Sequence, residues 1–178
     1  NSTGLPDAGQ YVTARDLDGN DTYRGRSFCQ GVGLFGIGLL IDEAGRDRYE
    51  GDVHVQGTGL PGGIGAVIDR AGDDDYYAKG LIPTNYGDAG VFDAWSQGCG
   101  MGFRTIASGG LGLLLDGGGN DRMEAGNFSQ GGGYYYGLGI LRAAGREGDR
   151  YIGSRYNQGF TAHQAVGVFL EDGGNDIY

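Results

Sequence analysis

Short runs in which every second residue is aliphatic recur along the chain: Ile37, Leu39 and Ile41; Ile64, Ala66 and Ile68; Leu111, Leu113 and Leu115; Val166, Val168 and Leu170. A period of two predicts strands, because a helix needs a period near 3.6 and would not hold so many glycines in its interior. At one fixed place in each run stands a glycine (Gly38, Gly65, Gly112, Gly139, Gly167), which predicts a bend or a close backbone approach once per unit.

The runs belong to a longer repeat. Gly-x-Asp-x-Tyr returns at Gly19–Tyr23, Gly45–Tyr49, Gly72–Tyr76 and Gly174–Tyr178. A weaker copy has Met123 in the tyrosine column, and another, around Gly148, Asp149 and Tyr151, is shifted by one residue. The column steps are 26, 27, 47, 28 and 27 residues, so the unit is about 27 and the step of 47 carries an insertion. A second anchor, Gln-Gly, begins at Gln30, Gln56, Gln97, Gln130 and Gln158. A stacked glutamine column is expected to bond side chain to side chain, as amide ladders do.

A unit this short cannot bury its own apolar face, so neighbouring copies must stack and pair strand to strand, forming a core along the axis. The predicted fold is all-β: a parallel β-solenoid (β-helix) of about six coils, forming a single domain over residues 1–178, with right-handed coiling the default for parallel crossovers. A propeller blade would need about 40 residues and four strands, more than one unit offers. Two segments depart from the repeat, a long inserted loop at about 78–96 and a shorter one at about 103–109, and such loops often carry function.

Glycine, at 41 residues, would suggest low-complexity disorder if it were not periodic. The net charge of −10 repels phosphate backbones and anionic lipid, which argues against nucleic acid as a partner. Lys79 is the only lysine, and an acidic, lysine-poor repeat chain points to a secreted or cell-surface protein that holds divalent cations. Cys29 and Cys99 are too few for a disulfide framework. No stretch reaches the length of a membrane span.

The acids fall in two columns. Asp16, Asp42, Asp69, Asp116 and Glu171 end the strands, with Ala143 or Ala144 breaking the column; Asp21, Asp47, Asp74, Asp121, Asp149 and Asp176 lie in the turns. In-register stacking sets like carboxylates about 5 Å apart, a repulsion of roughly 1 kcal/mol or more even with strong screening. Turn N–H groups, the nearby Arg46, Arg48, Arg70, Arg122 and Arg150, or calcium ions between coils are three ways to offset it. The run Asp16-Leu17-Asp18-Gly19-Asn20-Asp21 is the densest in oxygen ligands, although it lacks the terminal Glu of an EF-hand.

Gly119-Asn120-Asp121-Arg122-Met123 and Gly174-Asn175-Asp176-Ile177-Tyr178 resemble the second half of the hemolysin-type (RTX) calcium repeat. That resemblance covers one turn per coil and implies calcium as the bound ion, with Asp21, Asp47, Asp74, Asp121, Asp149 and Asp176 in the matching positions.

His54 and His163 are isolated, and no zinc, nucleophile or dinucleotide motif has its structural context, so no catalytic residue is assigned. The expected role is a structural, self-associating or ligand-binding module, its partner being another copy stacked end to end or the rest of a longer solenoid. The alternative is a solenoid that binds or cleaves polysaccharide. Exposed aromatics and the inserted residues Lys79, Asp88, Asp93, Trp95 and Arg104 would serve it if the insertion folds over one face.

Overall fold

The structure, a computed structural model, describes residues 11–178. It contains strands and turns and, among the described residues, no helix. Six strands, Tyr11–Arg15, Ile37–Asp42, Ile64–Asp69, Leu111–Asp116, Leu138–Ala143 and Val166–Glu171, pair parallel in chain order as one long sheet. Each opens one coil of a β-solenoid of about six turns, spaced ~27 residues apart. A second parallel sheet stacks Thr22–Arg24, Arg48–Gly51, Asp75–Ala78, Arg122–Ala125 and Arg150–Ile152. The remaining side of each coil is made of shorter pieces: Ser27–Cys29 pairs with Val53–Val55, and Gly100–Met101 with Gly133–Tyr134 and Thr161–Ala162.

Register is strict. Gly38 pairs with Gly65, Gly65 with Gly112, Gly112 with Gly139 and Gly139 with Gly167, so identical positions stack along the axis. Within each long strand the inward positions are this glycine, then Leu40, Val67, Leu114, Leu141 or Phe169, then the strand-end acid or Ala143. The alternating Ile and Leu residues therefore do not build the core; they lie on the outer face of the long sheet. The reason is steric. A Cβ on Gly65 would stand 2.1 Å from the Thr58 carbonyl oxygen, so at this position the long strand rests directly on the backbone across the coil and no side chain fits between.

The core is built of Leu40, Val67, Leu114 and Leu141 from the long sheet, packed on Tyr23, Tyr49, Tyr76, Met123 and Tyr151 from the second sheet. Tyr49 and Tyr76 are wholly buried and stack 4.6 Å apart at 3°. A smaller apolar cluster, Cys29, Val55, Ala78 and Ala94, fills the corner near the glutamines.

The glutamine column differs from the expected amide ladder. Gln56 Nε2 donates to the carbonyl of Tyr49 in its own coil at 2.9 Å and to that of Tyr77 in the next at 3.0 Å. Gln30, Gln97 and Gln130 repeat the pattern. The side chain runs inward and clamps two backbones, because the glutamine itself takes a left-handed conformation, φ 54° at Gln56.

Candidate functional site

The two acid columns run along the corner where the long sheet turns into the second sheet. Asp42 is wholly buried, and Asp47, Asp69, Asp74 and Asp121 are each 2% exposed. Asp42, Asp69, Asp116 and Glu171 are each held twice, while Asp16, among the described residues, accepts only from the turn N–H groups of Leu17 and Asp18. One oxygen of Asp69 accepts the Ala71 N–H at 3.2 Å, closing the turn, and the other accepts the Tyr49 hydroxyl at 2.6 Å from the preceding coil. Tyr23 donates likewise to Asp42 at 2.6 Å, Tyr76 to Asp116 at 2.8 Å, and Tyr151 to Glu171.

This pairing explains the two irregular positions in the sequence. Met123 occupies the tyrosine place of the fourth coil, and its partner place in the fifth is Ala143, aligned with Asp116 and Glu171. Donor and acceptor are missing together, so neither is left unsatisfied in the interior.

The turn acids make a different ladder. Asp47 Oδ1 accepts the N–H of Asp21 at 2.7 Å, Asp74 that of Asp47 at 2.6 Å, Asp121 that of Asp74 at 2.8 Å, Asp149 that of Asp121 at 2.9 Å, and Asp176 that of Asp149 at 2.9 Å. Backbone N–H groups thus satisfy one oxygen of each. The other oxygen of Asp47, Asp74 and Asp121 is buried without a hydrogen-bond partner.

Asp47 and Asp74 also crowd against other carboxylates. Ligand atoms of Asp16, Asp21 and Asp42 lie within 4.8 Å of one another, as do those of Asp42, Asp47 and Asp69, of Asp69, Asp74 and Asp116, and of Asp149, Glu171 and Asp176. The fourth coil has no such triad, since Ala143 supplies no carboxylate to Asp121. Burial, reinforced by neighbouring negative charge, pushes Asp47, Asp69 and Asp149 up to about 6, Asp74 up to about 8 and Asp121 up to about 10. Three of the nearby arginines are spent on other acids. Arg48 pairs with Glu50 and Asp75, Arg70 with Glu43, and Arg122 with Asp75 and Glu124, all on the outside. Asp18 also stands apart, exposed in its turn with its N–H donated to Asp16.

The long insertion forms a small antiparallel hairpin, Ile82–Pro83 with Phe92–Asp93, that reaches across two further coils. Asp88 pairs with Arg155 at 2.5 Å, Tyr86 packs on Phe128 and Tyr156, and Asp93 accepts from Asn127 at 3.0 Å. Lys79 is paired with Glu124. Arg104 sits exposed on the separate turn closed between Phe103 and Ala107, and among the described residues no hydrogen bond or ion pair joins it to Lys79, Asp88 or Asp93. Trp95 stacks on Phe128 at 4.0 Å, and Phe128 on Tyr156 at 4.8 Å. Phe28 and His54, stacked at 5.2 Å, hold the same place in the first two coils, so a ring stands two positions before each Gln-Gly and stacks in two groups. The signal for it lay in the sequence as ring-x-Gln-Gly, with His54 counted among the rings.

No protein-family model, curated protein or solved structure matches the chain.

Proposed function

We propose that this β-solenoid is a structural module whose interior acid column is held by calcium ions between coils. The observation that carries the proposal is that Asp47 and Asp74 each bury one oxygen without a hydrogen-bond partner and each belong to a carboxylate triad, drawn from two stacked coils, whose ligand atoms lie within 4.8 Å of one another. Two oxygens that close together can both lie about 2.4 Å from one ion, within the calcium–oxygen range. The donors are all hard oxygens, without histidine or cysteine, which suits calcium rather than zinc. A divalent ion would offset charges that burial otherwise makes costly. The resemblance of the turns to the hemolysin-type repeat supports the same ion, although that family repeats every nine residues. The acidic, lysine-poor composition supports a secreted or surface scaffold, where calcium is abundant. A parallel coil edge is itself the template for another coil, so a further copy or further repeats are the natural axial partner.

The test is thermal unfolding at neutral pH in calcium and in chelator, with calorimetric stoichiometry. The expected result is a clear rise in Tm with calcium and up to four ions bound, one for each carboxylate triad. An unchanged Tm at millimolar calcium overturns the proposal.

A further inference from the structure

The outer face of the long sheet is aliphatic almost throughout. Its three outward rows run Tyr11, Ile37, Ile64, Leu111, Leu138, Val166; then Thr13, Leu39, Ala66, Leu113, Ile140, Val168; then Arg15, Ile41, Ile68, Leu115, Arg142, Leu170. Only Tyr11, Thr13, Arg15 and Arg142 interrupt it, and no acid lies on it. Both arginines are already paired at its margin, Arg15 with Glu43 and Arg142 with Asp172. Ile37 and Ile64 are 38% exposed, Val166 54% and Leu170 48%.

A monomer seldom leaves so large and continuous an apolar face in water. Six strands about 4.8 Å apart, each about 20 Å long, give a footprint on the order of 500 Å². Two such faces together reach about 1,000 Å², the lower bound for a specific protein interface. The face offers almost no hydrogen-bonding side chain, and its backbone groups are spent in the parallel ladders, so a polysaccharide or polar peptide would lose its hydrogen bonds to water without replacement. The net charge of −10 opposes anionic lipid. A surface whose side chains repeat at the coil step is matched best by one with the same step, and a second copy supplies it.

We propose that two copies of this chain pack long sheet to long sheet as an isologous dimer, the sheets about 10 Å apart with their aliphatic rows interdigitated. This association is lateral, leaves both solenoid ends free, and does not depend on the cation proposal.

Sedimentation equilibrium of the whole chain tests it. The expected result is a monomer–dimer equilibrium with a dissociation constant around the micromolar range, tighter at high salt because screening relieves repulsion between two acidic bodies. Leu113→Glu, at the centre of the face, should weaken it at least about 100-fold while the circular dichroism spectrum stays unchanged, and the Tm unchanged when both chains are melted below the dimer's dissociation constant, since the side chain points outward. Ile140→Lys is the second variant should the first not fold. Ile177→Lys, on the last coil away from the long sheet, should leave the dimer intact. A chain that stays monomeric at millimolar concentration and high salt overturns the inference. So does a dimer that survives both face substitutions, or one broken by Ile177→Lys, which would mean end-to-end contact. Running the series in chelator and in calcium separates this result from the cation proposal.

Discussion

Asp74→Asn gives opposite effects with and without metal. Asp74 is 2% exposed; one oxygen takes the Asp47 N–H at 2.6 Å and the other has no hydrogen-bond partner. Burial, with the charges of Asp69, Asp116 and Asp47 adding to it, pushes this carboxyl from 3.8 up to about 8. A carboxyl whose value is higher in the folded state favours folding below about pH 4, and the advantage is lost as pH rises toward the folded value. At pH 7 the metal-free fold must keep Asp74 protonated about three pH units above its unfolded value. At about 1.36 kcal/mol per unit this costs roughly 4 kcal/mol. Asparagine keeps the acceptor for the Asp47 N–H, replaces the free oxygen with a donor facing Asp69 and Asp116, and carries no charge. In chelator at pH 7 the variant should therefore gain up to about 4 kcal/mol, a rise in Tm of roughly 5–15 °C. At pH 4, where the wild type takes up its protons without cost, the gain should vanish. In saturating calcium the order should reverse, because the variant has lost one charged ligand. Thermal melts at the two pH values, each with calcium and with chelator, decide the matter. If Asp74→Asn lowers Tm in chelator by the same amount at pH 4 and pH 7, the free oxygen carries no buried-charge penalty and the reasoning fails.

Three further variants test the other interior contacts. Tyr76→Phe removes a 2.8 Å bond to the buried Asp116 carboxylate and should cost about 1.5–3 kcal/mol by chemical denaturation. The pair Tyr76→Met with Asp116→Ala, which copies Met123 and Ala143, should cost less than the sum of its single changes, and strict additivity would deny the coupling. Gln56→Ala deletes bonds of 2.9 and 3.0 Å to the carbonyls of two successive coils, and should lower the denaturation midpoint by the equivalent of about 2 kcal/mol or more. No effect from Gln56→Ala would show that the column only fills space.

The 27-residue period, the strand pattern and the in-register stack were legible in the sequence because a solenoid repeats its covalent pattern once per coil, and stacking places like on like. The acid columns were legible for the same reason. Orientation was not. Alternation shows that two faces differ but not which one is buried; the long-strand glycines decide it, because the backbone across the coil leaves no space for a Cβ at Gly65, and so the isoleucines and leucines turn outward.

The sequence by itself thus determined the repeat, the parallel stacking and the places of the acids, all consequences of short-range pattern. Only the tertiary structure decided that Tyr49 reaches Asp69 in the next coil, that Met123 faces the place of Ala143, and that Asp74 keeps one oxygen unpaired in the interior. Those contacts join residues about 20 positions apart or more, through the turn and the step between coils. Their geometry depends on how much space the whole cross-section leaves at one corner, and no local window of sequence contains it.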